Sequence, residues 1–574
     1  MLKFDVTYSL PQQHFIDFTF FIDNNSEPFL KIDLPSWRPG RYEIGNFAQN
    51  IQQVRAFTNL LEPLRLEKIT KDCWLVHTKG EKKIVFKYRY YAATLNAGSS
   101  YLDEEQLYIN PVNCFMYIKD RVQEQIQIQF IIPSNYHIAT QLSQRTKHTL
   151  IAHNFDELAD SPLIASASLK HLEYGVESTT FHLWFQGDVV LDEKKISDDF
   201  IKFSTQQIKL FGDCESKDYH FLIQVSPTYL YHGVEHLNSS VNAIGPGDKL
   251  METSLYTDFI GLCSHEMFHL WNIKRIRPQV MLPYHFKHEN YSSMGYVYEG
   301  ITTYYGDLIL FQCGVYSFEQ YATEVNIQLQ KHFNNYGRYN QSLADSSMDT
   351  WLDGYIPGIP DRKVNIYTEG MLSALILDAS CIAQTEAEYS LDDIMKLLYN
   401  DTYKKGTGYD ELTWKSCIES VTGHRYDWYF NDIIHGCGFF EKYLDDAIKS
   451  IGLKIVVEET TILESRYGIR SVWKEGKMVV IQIAADSNAS VKGLAKDDQI
   501  LELNNIPIDS MNPLLETEYL TPLLKVKLLR NANVFDYIIN AGGPYFMNRK
   551  IMLDEEATPQ AKINFAKWSK KNHV

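Results

Sequence analysis

The sequence lacks the features that mark membrane-spanning and nucleic-acid-binding proteins. No stretch of its 574 residues approaches the unbroken apolar length that crosses a bilayer. Basic residues are in the minority, since 55 lysines and arginines face 72 aspartates and glutamates, which gives a net charge of −17. This excess of negative charge argues against a general affinity for nucleic acid or anionic membranes. We therefore expect a soluble, globular protein with no nucleic-acid partner and no membrane span.

A secretory signal and a disulfide framework are missing as well. Residues 1–8 enter a β-like alternation at once, without the basic start and apolar run of a signal peptide. The eight cysteines show no paired spacing, which favours buried free thiols over disulfides or a thiolate metal site. These two absences predict a cytoplasmic protein.

The chain is long enough for several domains, because single hydrophobic cores stop growing well below 574 residues. Residues 1–175 carry short alternating runs between turn-formers, which predict an all-β N-terminal domain. Helical periodicity dominates the later part of residues 176–454, which predicts a mainly helical domain that begins with a few strands. Strand-like runs return in residues 455–545 and predict a smaller α+β module, followed by a polar C-terminal tail, 546–574. The predicted fold class is multidomain α+β.

The strongest chemical signal is the segment His265-Glu266-Met267-Phe268-His269. On a helix, His265 and His269 stand four residues apart, so both imidazoles project from one face and can share one ion. Glu266 lies one position round the helix, where its carboxylate can reach a zinc-activated water and act as general base. The segment therefore predicts a catalytic zinc site.

A catalytic zinc needs a third protein ligand and one open position. Our candidate is Glu299, which sits early in a second helical segment, residues 296–310. The residues alone leave three rivals in the connecting segment, His285, His288 and Glu289. Because prolines and polar residues surround these rivals, a solvated loop is their simplest interpretation.

One loop of the N-terminal domain also stands out. Residues 34–42 contain two prolines and a glycine, which break a strand and form a rigid loop that presents Trp37 and Tyr42. Physical chemistry alone favours a packed turn for this loop.

Residues 265–278 as a whole closely resemble the active-site signature of the glycyl aminopeptidase family, peptidase family 61 of the gluzincin clan. The same family pattern recurs at residues 299–305, in the loop 34–40 and, in order, through the C-terminal module. The resemblance implies a β-rich N-terminal domain, a thermolysin-like catalytic domain over 176–454 and a PDZ-like domain over 455–545. It also implies that His265, His269 and Glu299 hold one zinc ion per chain and that Glu266 is the base.

Two further site residues follow from the resemblance. The segment His232-Gly233-Val234-Glu235-His236 is similar to the family's GGxEH element, which implies that Glu235 binds the free α-ammonium of the substrate. His232 replaces the first glycine of that element. Tyr367-Thr368-Glu369-Gly370 resembles the YxKG turn of related aminopeptidases, which implies that the Tyr367 hydroxyl steadies the tetrahedral oxyanion. Glu369 stands where lysine is usual.

The C-terminal module resembles PDZ domains in two segments. Residues 466–469 are similar to their carboxylate-binding loop, and residues 487–501 resemble their SPAxxAGLxxGDxIL stretch. The resemblance implies a second partner, the C-terminus of a peptide that adds a strand to the sheet edge. A structural lid on the catalytic domain is the alternative for this module.

Together these patterns predict a zinc aminopeptidase that hydrolyses the N-terminal bond of peptides with a free N-terminus. A preference for N-terminal glycine or alanine is implied by the resemblance alone. Two alternatives stay open. One is a zinc endopeptidase, favoured if Glu235 does not face the cleft, and the other is a catalytically weak protein that binds peptides through its PDZ-like module.

Overall fold

In the computed structural model, which describes residues 2–355, 359–508 and 522–571, the N-terminal region is built of β-sheets. Every second residue along Phe15–Ile22 is buried, as expected for a strand with one face on a core. The strands of this region are β1 (Leu2–Thr7), β2 (Phe15–Ile22), β3 (Phe29–Asp33), β4 (Ile51–Thr58), β5 (Pro63–Leu64), β6 (Leu66–Thr70), β7 (Cys73–His77), β8 (Ile84–Tyr91), β9 (Tyr101–Leu102), β10 (Gln106–Ile109), β11 (Ile126–Ile131), β12 (His137–Thr140), β13 (Ser143–Thr146), β14 (Thr149–Ala152) and β15 (Leu163–Ser166).

Three sheets share the core of this region. Their strand orders are β13-β14-β11-β1-β2-β8-β4-β5, β12-β15-β10-β9 and β3-β7-β6. Two short helices, α1 (Pro111–Cys114) and α2 (Phe155–Ala159), connect the strands. The loop predicted between residues 34 and 42 leaves β3 and runs away from these sheets toward the helical region.

The next region begins with a five-stranded sheet that supports the helices. Its strands are β16 (Lys170–Val176), β17 (Thr179–Gln186), β18 (Asp218–Val225), β19 (Leu230–Glu235) and β20 (Ser239–Gly245), in the order β16-β17-β18-β20-β19. Strand β19 therefore lies at one edge, antiparallel to β20. One face of the sheet is apolar and packs against the helices.

Helices make up most of the remaining region. They are α3 (Glu193–Phe211), α4 (Thr253–Phe268), α5 (Thr302–Gln312), α6 (Phe318–Asn334), α7 (Leu343–Met348), α8 (Thr350–Asp353), α9 (Ile366–Gln384), α10 (Leu391–Asp401), α11 (Glu411–Thr422) and α12 (Phe440–Ser450), with π-helical segments at Tyr296–Ile301 and Tyr429–Ile434. Local signals set their ends: the Asp192 side chain caps α3, and Gly212 ends it with a left-handed φ of 94°. Short 3-10 turns lie at Pro11–Gln13, Phe47–Asn50, Lys119–Arg121, Gly247–Lys249, Gln279–Met281, Tyr336–Tyr339 and Tyr403–Lys405.

Helix α9 is the central helix of this region. Among the described residues it alone is long and apolar enough to cross a membrane, but 83% of its most apolar window is buried inside the protein. Burial on this scale is typical of the core helix of a folded domain. Helix α9 packs against α5, α6, α12 and the segment Tyr296–Ile301, which is called the π-helical segment below.

The C-terminal module has a separate apolar core. Its sheet follows the order β22 (Ile469–Lys474), β23 (Lys477–Ile483), β24 (Gln499–Leu503), β26 (Leu523–Arg530) and β27 (Asn533–Asn540), and the short strand β25 (Ile506–Pro507) pairs with β24. Two short helices, α13 (Ile462–Ser465) and α14 (Asn488–Lys492), flank the sheet. Residues 509–521 of the predicted PDZ-like module lie outside the described residues.

Residues 546–574, predicted as a polar tail, include two ordered elements. Strand β28 (Asn548–Leu553) pairs with β21 (Leu453–Glu458), and helix α15 (Pro559–Ser569) packs on α9. Along α15 the buried residues Ala561, Asn564, Phe565 and Trp568 recur at the spacing of one helix face. The Trp568 indole donates a 2.8 Å hydrogen bond to the Tyr304 hydroxyl. With Ser569, which is also buried, these residues form a helical stripe within a polar sequence, and the segment thus contributes to the core of the helical region.

Candidate active site

His265 lies on the last turn of helix α4, and His269 is the residue that caps the C-terminal end of this helix. Their Nε2 atoms lie 3.1 Å apart. Nδ1 of His269 lies 2.8 Å from the backbone carbonyl of Asn272. A proton held on Nδ1 and donated to that carbonyl leaves the Nε2 lone pair free to face His265, which is the orientation a metal-binding histidine needs. The Asn272 amide in turn donates to the Val297 carbonyl at 2.8 Å, which ties the turn after α4 to the π-helical segment.

Glu299 reaches the same point from that π-helical segment. Its Oε2 lies 3.4 Å from Nε2 of His269, and the ligand atoms of His265, His269 and Glu299 all fall within 4.8 Å of one another. Ligands bound at 2.0–2.2 Å to a tetrahedral ion are about 3.4 Å apart. The three donors therefore have the composition and spacing of a tetrahedral zinc site with an open position.

The three rival ligands lie apart from this cluster. His285 and His288 are exposed, and Glu289 is half-buried. The Asn290 side chain organises their loop, because it accepts from the His285 amide and donates to the His285 carbonyl. Within the described chain, none of the three joins the group of ligand atoms around His265.

Tyr42 contacts the cluster from the N-terminal region. Its buried hydroxyl donates a 2.5 Å hydrogen bond to Oε1 of Glu299. The loop that carries it is fixed by a hydrogen bond from the Trp37 indole to the Arg41 carbonyl. The loop 34–42 is thus more than a packed turn, since it holds the second oxygen of a ligand carboxylate.

The charges at this cluster favour a bound cation. Burial opposes protonation of His269, but the adjacent Glu299 carboxylate raises the pKa of His269 to about 10. Burial lowers the pKa of His265 well below its ordinary value. The cluster therefore attracts positive charge at His269 while it keeps His265 neutral, the form that binds metal ions.

Glu266 and Glu235 lie against two glycines. A Cβ atom on Gly233 would come within 1.9 Å of Oε1 of Glu266, and one on Gly40 would come within 2.3 Å of Oε2 of Glu235. Gly40 also has a left-handed φ of 81°, which favours glycine. Any residue larger than glycine at position 233 or 40 would fill the space that these two carboxylates occupy.

Glu235 ends the edge strand β19 and is only 4% exposed. Its Oε1 has no hydrogen-bond partner among the residues that the structure describes. The residues alone indicate only a polar pair after a strand ending near residue 227, whereas the structure has a further strand here. A buried carboxylate oxygen without a partner is costly, so its position in a cavity indicates a cationic ligand.

Tyr367 lies in the first turn of α9, which the Asn365 side chain caps. Its hydroxyl is 3.3 Å from the hydroxyl of Tyr355. Helix α9 approaches the π-helical segment closely, because a Cβ on Gly370 would lie 2.6 Å from Cα of Gly300. Two glycines therefore set the separation between the segments that carry Glu299 and Tyr367.

All six predicted site residues line one cavity of about 360 Å³. This volume lies in the range of small-molecule and peptide-binding sites. Its walls include residues from the N-terminal loop, the edge strand and three helices: Gly40, Glu235, His265, Glu266, His269, Glu299, Tyr355 and Tyr367.

Two sequence models of known families match the chain. Residues 3–167 match the peptidase M61 N-terminal domain, and residues 258–373 match the M61 glycyl aminopeptidase. The chain belongs to the M61 peptidase family. This M61 peptidase is a metallopeptidase. No protein of curated function matches its sequence closely enough to count as a relative.

A solved structure shares the fold of this M61 peptidase. An aminopeptidase N family protein from Idiomarina loihiensis is 22% identical, with a TM-score of 0.90 over 99% of this chain and 100% of that chain. This likeness confirms the predicted multidomain α+β class, with a β-rich N-terminal region and a helical domain. An M1 zinc metallopeptidase from Deinococcus radiodurans aligns with a TM-score of 0.45 and 10% identity, over 76% of this chain and 94% of that chain.

The M61 peptidase contains a buried ion-pair network that its sequence does not predict. Asp160, which ends α2, accepts a 2.7 Å hydrogen bond from the Lys274 ammonium and lies 3.0 Å from Nδ1 of His236. Burial opposes ionisation of Asp160, but Lys274 and His236 lower the pKa of this carboxyl well below its ordinary value. The network joins the N-terminal region to the segments that follow Glu235 and His269. No local pattern in the sequence singles out Asp160.

Glu369, which replaces the usual lysine of the YxKG turn, faces away from the cavity of the M61 peptidase. Its carboxylate lies 2.7 Å from Nδ1 of His332, and both side chains are buried. The pair fastens the first turn of α9 to α6. The departure from the family pattern is therefore accommodated in the core, and Tyr367 keeps its place on the cavity wall.

Proposed function

We propose that this metallopeptidase is a zinc-dependent aminopeptidase that removes N-terminal residues from peptides. The observation that carries the proposal is the unpartnered, buried oxygen of Glu235 in the cavity that also holds the metal-ligand cluster. A peptide's α-ammonium offers three donors and a positive charge, which offset the cost of burying this carboxylate. An internal peptide bond presents no such group, so Glu235 favours exopeptidase over endopeptidase cleavage.

His265, His269 and Glu299 would hold the zinc ion through two imidazoles and one carboxylate. Their donor set, with two imidazole nitrogens, and their spacing support zinc over oxygen-seeking ions such as magnesium. Bound zinc supplies Lewis acidity, which polarises the substrate carbonyl and lowers the pKa of water.

The remaining steps belong to side chains of this protein. Glu266 accepts a proton from the attacking water and delivers it to the leaving amine. The Tyr367 hydroxyl donates a hydrogen bond to the oxyanion that develops on the substrate carbonyl. The edge strand β19 pairs with the extended substrate backbone, which places the first peptide bond beside Glu266 while Glu235 binds the ammonium group.

Small N-terminal residues are the proposed preference. The support is the description of the matching family, glycyl aminopeptidase. Glycine and alanine are accordingly the first substrates to test. Location in the cytoplasm stays a prediction from the sequence.

The C-terminal module supports a second proposed activity, binding of a peptide C-terminus in the manner of PDZ domains. A cavity of about 160 Å³ lies in this module, and its mostly apolar lining includes Tyr467, Ile469, Met478, Leu503 and Leu524, with Thr461, Glu464 and Ser471 as its polar members. Strand β22 lies at the sheet edge beside it. An apolar cavity next to a free strand edge is the arrangement that accepts a terminal side chain while the peptide backbone extends the sheet.

The decisive experiment compares peptides that begin with glycine or alanine and carry free or acetylated N-termini. We expect the zinc-loaded protein to cleave only the free peptides, and we expect Glu266→Gln to bind zinc but lose turnover. Equal cleavage of acetylated peptides would establish an endopeptidase instead. Absence of cleavage in zinc-loaded protein would reject the peptidase proposal and leave peptide binding by the C-terminal module.

A further inference from the structure

A second group of histidine and carboxylate side chains lies outside the cavity, on the five-stranded sheet. Side chains alternate between the two faces of the sheet along each strand. Tyr174 on β16, Phe181 on β17 and Tyr219 on β18 pack toward the helices, so the residues next to them in sequence lie on the opposite face. That opposite face carries imidazoles and carboxylates on adjacent strands: His171, Glu173, His182, Asp218 and His220.

Three of these side chains converge. Nε2 of His171 lies 3.0 Å from Nδ1 of His182, and the Glu173 carboxylate lies 3.8 Å from the same nitrogen. All three ligand atoms fall within 4.8 Å of one another. Two ligands of a tetrahedral zinc ion are about 3.4 Å apart, and these two spacings lie on either side of that value. The donor set, two histidines and one glutamate, is the same as in the catalytic cavity.

Neighbouring groups already orient the rings. Nε2 of His182 faces Oδ1 of Asp218 at 3.4 Å. A proton held on Nε2 toward this carboxylate leaves the lone pair of His182 on Nδ1, the side on which His171 and Glu173 lie. His171 stacks on Trp184 with 3.7 Å between ring centroids and 11° between planes, which fixes the plane of its imidazole.

A simple hydrogen bond between two neutral histidines accounts for the 3.0 Å contact alone. It does not account for Glu173, whose carboxylate approaches the same nitrogen at a distance too long for a hydrogen bond. Two imidazoles and a carboxylate within reach of one point are a donor set that divalent transition metals bind.

We propose that His171, Glu173 and His182 form a second metal site that binds Zn²⁺ or a similar divalent transition metal such as Cu²⁺. The site is open to solvent, since the Glu173 side chain is 65% exposed, so water fills the remaining positions. Strand β16 lies at the edge of its sheet. A metal ion shared by β16 and β17 fastens this edge strand and stabilises the folded chain by mass action.

The test measures metal stoichiometry in the full-length protein after removal of metals by a chelator. Titration with Zn²⁺ in a calorimeter should give two equivalents for the wild-type chain. His171→Ala with His182→Ala should lose one equivalent and keep peptidase activity, whereas His265→Ala should lose the other equivalent together with activity. His153→Ala is the matched control, because His153 is an exposed histidine paired with a single carboxylate, Glu157.

A spectroscopic readout locates the ion independently. Bound Cu²⁺ should quench the fluorescence of Trp184 through the stacked His171 ring, and Trp184→Phe should abolish that portion of the quenching. A single equivalent in the wild-type chain, or a second equivalent that survives in the double histidine variant, would overturn the proposal. Neither result bears on the aminopeptidase proposal, which the His265 variant and the peptide assay test separately.

Discussion

The Tyr42 hydroxyl donates a 2.5 Å hydrogen bond to Oε1 of Glu299 across 257 positions of the chain. The bond joins the loop of the N-terminal region to the carboxylate that we propose as third zinc ligand. It leaves Oε2 of Glu299 turned toward His269. The N-terminal region therefore has a direct part in the geometry of the metal centre.

Removal of this hydroxyl should weaken metal binding without unfolding the protein. For Tyr42→Phe we expect zinc affinity to fall about 10- to 100-fold, as with other groups that orient metal ligands. Competition with a chromogenic chelator measures the change. Tyr88→Phe is the matched control, since the Tyr88 hydroxyl is equally buried but donates to the Cys114 carbonyl. Equal zinc affinity in the two variants would show that Tyr42 does not orient Glu299.

Glu235→Gln tests the ammonium site. We expect kcat/KM for peptides with a free N-terminus to fall about 100-fold, because a buried ammonium would lose its charged partner. Acetylated peptides should stay uncleaved by the variant, as by the wild-type chain. Glu324→Gln removes a carboxylate from the same cavity and serves as control for its overall charge. A similar loss in both variants would contradict a specific role for Glu235.

Tyr367→Phe should lower kcat and leave KM nearly unchanged. A lost oxyanion donor costs on the order of 100-fold or more in turnover, because the interaction forms only in the transition state. The control is Tyr355→Phe, whose hydroxyl lies 3.3 Å from that of Tyr367 in the same cavity. Steady-state kinetics on one good peptide substrate separate the two variants. If Tyr355→Phe shows the larger loss in kcat, Tyr355 is the donor.

Asp160→Asn should destabilise the protein in a pH-dependent way. Near pH 7 it leaves the buried Lys274 ammonium without its anionic partner, which costs about 3 kcal/mol in comparable buried pairs. The folded-state pKa of Asp160 is lowered, so its contribution is present above the unfolded pKa of 3.8 and is lost as pH falls below that value. In urea unfolding, the variant should therefore have a lower free energy of unfolding than the wild type. This difference should be constant from pH 7 to about pH 4.5 and should become smaller at lower pH.

Asp17→Asn provides the comparison for this prediction. Asp17 pairs with Arg89 at a more exposed position, with side chains 36% and 22% exposed, so its loss should cost about 1 kcal/mol or less. If Asp160→Asn lowers the free energy of unfolding by as little as Asp17→Asn does, the Asp160 network does not stabilise the contact between the N-terminal region and the helical region.

The sequence predicted the site residues best where their spacing is local. His265, Glu266 and His269 share one helix turn, so their convergence follows from helix geometry alone. The segments that contain Glu235 and Tyr367 were identified through the family resemblance, and the structure brings both residues to the same cavity. Asp160 was missed because its partner Lys274 stands 114 positions away and no short pattern links the two.

Two parts of the fold were harder to predict for related reasons. Strand β19 mixes apolar and polar residues without a regular alternation and contains a glycine, Gly233, so its sequence pattern alone does not reveal it. Helix α15 buries one stripe of five residues within a polar sequence, and the burial of this stripe depends on the core against which the helix packs. In both cases tertiary contacts, which a single sequence does not display, decide the local structure.

The wall of the cavity is made from distant parts of the chain, with Gly40 from the N-terminal loop and Tyr367 from the start of α9. During synthesis the loop emerges first, and the cavity lacks a side until residue 367 has left the ribosome. The growing polypeptide therefore has no assembled proteolytic centre, and neither half could be excised as an independent catalyst. The order in which the chain is synthesised therefore delays assembly of the cavity until the start of α9 is available.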